Sequence, residues 1–78
     1  MNDNIKRDRR EKFKSLASAR VNKALLNLKL IGNLSNRQNY EYDDADVKKI
    51  FNVLENELRT AKQKFKKTSK KNGEFSLD

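Results

Sequence analysis

Apolar residues recur along the first half of the chain at Phe13, Ala17, Val21, Ala24, Leu28 and Ile31, spaced 4, 4, 3, 4 and 3 residues apart. At about 100° per residue this spacing gathers them on one side of an α-helix, and it predicts an amphipathic helix over residues 8–31. Gly32 follows, and glycine suits the left-handed C′ position at which helices commonly stop. A second run, Val47, Ile50, Leu54, Leu58, Ala61 and Phe65 with Phe51 beside it, predicts a helix over residues 44–67. Its start is marked three times over. Asp43 is an N-cap acceptor, Asp44 and Asp46 place negative charge at the positive end of the helix dipole, and Tyr42 with Val47 occupies the two positions of a hydrophobic staple. Asp44 with Lys48 and Glu55 with Arg59 stand at the i,i+4 spacing of helical ion pairs.

Folding one stripe back on the other pairs Ile31 with Val47, Leu28 with Ile50, Ala24 with Leu54, Ala17 with Ala61 and Phe13 with Phe65, each pair of numbers summing to 78. Small residues then meet small ones, and rings meet rings. The expected fold is therefore all-α, an antiparallel two-helix hairpin. Leu16, Ala19, Leu25, Leu30 and Val53 fall outside this seam. A lone hairpin leaves them uncovered, which points to a homodimer assembled as a four-helix bundle. Arg20, near the seam, comes close to Glu57 in this register. Residues 1–7 form a basic N-terminal arm in this reading, and residues 32–43 a connecting loop. The stretch from Lys66 onward loses periodicity, so residues 68–78 are expected as a disordered tail, with Phe75 and Leu77 as its two apolar docking points.

Composition limits the chemistry. The 78 residues leave room for one small domain, and they include no cysteine, histidine or proline. Disulfides, thiolate nucleophiles and nearly every structural zinc site are excluded on residue type, and no glycine-rich phosphate cradle is present. The acidic group Asp43, Asp44 and Asp46 is accounted for by the helix start it stabilises. The expectation is a non-enzymatic protein with no catalytic residue, no cofactor, no metal and no small-molecule substrate. It has no signal-peptide pattern and no membrane segment, which places it in the cytoplasm, without a membrane partner.

Charge supplies the positive indication. Lysine and arginine number 19 against 11 aspartates and glutamates, a formal net charge of +8. In an antiparallel hairpin Lys6, Arg7, Arg9, Arg10, Lys12 and Lys14 come to the same pole as Lys62, Lys64, Lys66, Lys67, Lys70 and Lys71. Such a pole suits nucleic acid, held mainly through backbone phosphates, or a nucleoprotein or effector complex. Phe13 and Phe65 are the rings nearest these cations, and the seam claims them, which disfavours base stacking. The connecting loop offers a second candidate surface, Asn36, Arg37, Asn39 and Tyr40. Three functions follow as expectations: a nucleic-acid-docking module, a protein-directed inhibitor of a nucleic-acid-handling effector, and a structural self-assembly module.

The stretch Arg20 to Phe65, above all RVNKALLNLKLIGNLSNRQNYEYDDADVKKIF, resembles a group of short basic helical proteins of bacteria and their phages or mobile elements. The group carries no established activity, and the resemblance transfers no functional residue. It implies a bacterial host cell and a genomic setting in which small proteins modulate nucleic-acid machinery or block host defence, in the manner of an anti-CRISPR protein.

Overall fold

The computed structural model describes the backbone of residues 2–77 and the side chains of residues 4–68, and every element it contains is helical. Helix α1 runs Asn2–Gly32, a 3-10 turn follows at Asn33–Ser35, and helix α2 runs Asp44–Leu77. The chain divides into two units, Met1–Glu41 and Tyr42–Asp78.

Both helices exceed the expected bounds. Apolar periodicity marks where a helix has a face to bury, whereas helix propagation needs only residues that tolerate the conformation. No proline or glycine interrupts residues 1–31, and the segment expected as a basic arm joins α1. Likewise α2 continues through the segment expected as a disordered tail. At that junction the Thr68 hydroxyl donates to the Lys64 carbonyl at 3.2 Å, a bond made inside helical geometry. The Phe75 and Leu77 side chains, proposed as docking points, lie outside the described residues.

Gly32 departs from expectation in a second way. Its φ and ψ are −59° and −31°, right-handed, and the described residues contain no positive φ. Instead of reversing at a left-handed glycine, α1 tightens into the 3-10 turn, whose i→i+3 bonds take up carbonyls at the helix end. The chain then leaves through Asn36 in extended geometry. From there Asn36 builds the turn. Its carbonyl accepts from the amides of Asn39 (3.1 Å) and Tyr40 (3.0 Å), and its side-chain oxygen accepts from the Gln38 amide at 3.0 Å. This side-chain bond to the backbone two residues on is the reason asparagine favours such positions.

The start of α2 follows the expected chemistry. The Asp43 carboxylate accepts from the Asp46 amide at 2.8 Å, while the Asp46 carboxylate accepts from the Asp43 amide at 3.0 Å. Two exposed donors are satisfied reciprocally, a capping box with aspartate at both positions. Tyr42 and Val47 are both half-buried, as the staple requires. The expected Glu55–Arg59 pair gives way to a bond from Arg59 to the Asn56 side-chain oxygen at 3.1 Å.

Among the described residues no side chain is buried. Ala17 and Ile31 of the first unit and Tyr42, Val47 and Leu54 of the second are half-buried. A single helix has no interior, so a stripe gains its burial only from a second surface. The two helices differ in what they ask of that surface. On α2 the apolar residues occupy one face, with Val53 apart. On α1 Leu25 stays at the edge of the seam stripe, while other residues off it regroup. Leu16, Ala19, Leu26 and Leu30 share a second face, roughly 140° around the axis at about 100° per residue. Leu26 is the member that the linear pattern failed to single out.

Candidate nucleic-acid interface

The expected cationic residues fall into two sets, one in each unit. In α1, Lys6, Arg7, Arg9, Arg10, Lys12 and Lys14 occupy the first half of the helix, and all six side chains are exposed. At helical spacing Arg7, Arg10 and Lys14 follow one another along one side, while Arg9 and Lys12 lie on another. The set therefore wraps the helix rather than forming a stripe. Lys14 approaches Glu11 at 3.9 Å, a wide and solvated i,i+3 pair that leaves its charge available.

In α2, Lys62, Lys64, Lys66 and Lys67 are likewise exposed near the far end of the described side chains. Arg59, Lys62 and Lys66 line one open depression with Glu55, Leu58 and Gln63, so three cations share a single side with one carboxylate. Lys64 and Lys67 point elsewhere around the axis. Arg59 was absent from the sequence-based set. The signal that finds it is its i,i+3 spacing to Lys62 and i,i+7 spacing to Lys66. Lys70 and Lys71 belong to α2, but their side chains lie outside the described residues.

The loop candidates are placed with less freedom than expected. Asn36, Arg37, Asn39 and Tyr40 are all exposed, but the Asn36 side chain and carbonyl are engaged in holding the turn. Leu34 and Tyr40 are 46% and 49% exposed. Among the described residues no group of three potential metal ligands gathers, and no helix is long and apolar enough to cross a membrane.

Among the described residues this is an array of long-stemmed, exposed cations on regular helix. Such an array attracts anions by long-range field and by charge-assisted hydrogen bonds. Compared with family models, with curated proteins and with solved structures, the chain matches none.

Proposed function

We propose that the protein is a small, non-enzymatic binding module that docks on nucleic acid, or on a nucleic-acid-handling complex, through its lysine and arginine side chains. The supporting observation is the pair of exposed cationic sets at Lys6–Lys14 and Lys62–Lys67. In this reading α1 and α2 fold as an antiparallel hairpin in the register summing to 78, and two hairpins associate as a four-helix bundle in the bacterial cytoplasm. The hairpin brings the start of α1 beside the end of α2, and twelve of the nineteen cations then share one pole. Acidic residues concentrate at the other end, around Glu41–Asp46, which orients the molecule toward phosphates.

Binding of this kind releases counterions, and each neutralised phosphate steepens the dependence on salt. Titration of fluorescent duplex and single-stranded oligonucleotides at 50 and 200 mM salt is the test. With six or more phosphate contacts, affinity is expected to drop by about 10³-fold between the two, with little preference among sequences. Absence of binding at the lower salt contradicts the proposal.

The exposed apolar residues and the ordered Asn36 turn favour a second reading, a phage or mobile-element inhibitor of a host defence effector acting by protein contact. A pull-down from nuclease-treated host lysate separates the two. A protein partner retained after nuclease treatment supports the inhibitor, and loss of every partner supports direct nucleic-acid docking.

A further inference from the structure

Along one side of α2 the charge changes character partway. At about 100° per residue Asp44, Lys48, Glu55, Arg59, Lys62 and Lys66 fall within about 60° of one another around the axis. Up to Glu55 this line mixes signs, and from Arg59 onward it is positive. Arg59, Lys62 and Lys66 are all exposed, and they line the open depression that also takes in Glu55 and Gln63. Among the described residues none of the three is held in an ion pair. Arg59 donates to the Asn56 side-chain oxygen at 3.1 Å, which steadies a guanidinium with donors to spare. Lys64 and Lys67 stand about 170° and about 110° away from this line.

A line of cations suits a line of anions. From Arg59 to Lys66 the helix rises about 10 Å, comparable with the axial length of about three phosphates on one duplex strand at about 3.4 Å each. Gln63 beside them adds a neutral amide donor of a kind that phosphate oxygens accept from. Phe65 stands about 90° from the line, so the line offers bases no ring to stack on, which disfavours a single strand. A duplex also carries the denser charge, one per about 1.7 Å of axis, and releases more counterions. An anionic lipid surface would need the apolar stripe of α2 as well, and the proposed seam already uses that stripe.

We infer that Arg59, Lys62 and Lys66 form a phosphate rail that follows one strand of a duplex from outside, with Glu55 marking the end at which the strand leaves. The inference rests on the nucleic-acid reading above, adds Arg59 to its cations and assigns the share of contact that α2 carries. The rail stands about 110° from the apolar stripe of α2, so the proposed seam leaves it open.

Salt titrations of the full chain on a fluorescent duplex test it, read as the slope of log affinity against log salt, with circular dichroism to follow the helices. Each phosphate contact contributes about 0.9 to that slope. Arg59→Gln, Lys62→Gln and Lys66→Gln are each expected to flatten it by about 0.9, whereas Lys49→Gln, which removes the same charge away from the line, leaves it in place. Glu55→Lys lengthens the rail and is expected to steepen the slope by about 0.9 and raise affinity, whereas Glu57→Lys, the same change of charge on another side, does neither. This gain of binding keeps the test decisive even where a glutamine variant loses helix. A single strand of equal length and vesicles of anionic lipid are expected to bind more weakly than the duplex. Controls that move the slope as far as the rail variants do, or a single strand or vesicle bound as tightly as the duplex, overturn the inference. A duplex bound with a slope that ignores all four rail variants removes the rail and keeps the nucleic-acid reading. No duplex binding at about 50 mM salt, by wild type or by Glu55→Lys, removes both.

Discussion

Asp43 and Asp46 show how much two side chains decide in a chain with so little else to fix it. Each carboxylate takes the backbone amide of the other, at 2.8 and 3.0 Å, and both sit at the positive end of α2. The free amides of a helix start are otherwise left to water. Asp43→Ala removes the acceptor for the Asp46 amide and part of the dipole compensation. The expected cost is about 1 kcal/mol, a fall in Tm of roughly 4–8 °C for a domain of this length, read by thermal circular dichroism. A Tm unchanged by the substitution contradicts the cap's role. Asn36 exerts comparable control over the connector, because its side chain and carbonyl together close the turn.

At the scale of elements, the ends of the helices were legible only where a side chain marks them. The start of α2 was readable because Asp43, Asp46, Tyr42 and Val47 act within a few residues of one another. The end of α1 misled, since Gly32 matches a left-handed stop in composition while the chain turns by 3-10 bonds instead. The outer ends were unreadable from periodicity. Lysine, arginine and asparagine sustain a helix without contributing to an apolar stripe, so the arm and the tail gave no signal of helix. The right-handed Gly32 also carries a prediction. A Cβ built there meets nothing within 4 Å, and its φ is one that alanine adopts freely. Gly32→Ala is expected to stabilise the chain by about 0.4–1 kcal/mol, chiefly by restricting the unfolded state, and urea denaturation measures it. Destabilisation instead would show that the glycine works in the left-handed form the sequence suggested.

For the whole molecule, the list of cations was legible and their joint arrangement was not. Charge on a flexible stem specifies no register, so composition identified Lys6–Lys14 and Lys62–Lys67 without saying what brings them together. The apolar seam supplies that information in our account. The proposed mirror pairing from Phe13·Phe65 to Ile31·Val47 would gather twelve cations at one pole. The second face of α1 escaped the linear reading because its members, Leu16, Ala19, Leu26 and Leu30, are interrupted by Lys23 and interleaved with the seam. It emerges once helical angle replaces sequence spacing.

The hairpin is the claim on which the cationic pole depends, and the distance between its two ends measures it. The chain has no cysteine, so Lys12→Cys and Lys66→Cys give a uniquely labelled nitroxide pair. Excess unlabelled chain keeps the distance within one molecule. Packed helices lie about 8–10 Å apart, and with the label arms pulsed electron–electron resonance should return about 20–30 Å. A distance of about 60 Å or more, the summed rise of two helical segments at about 1.5 Å per residue, would contradict the hairpin and the shared pole together.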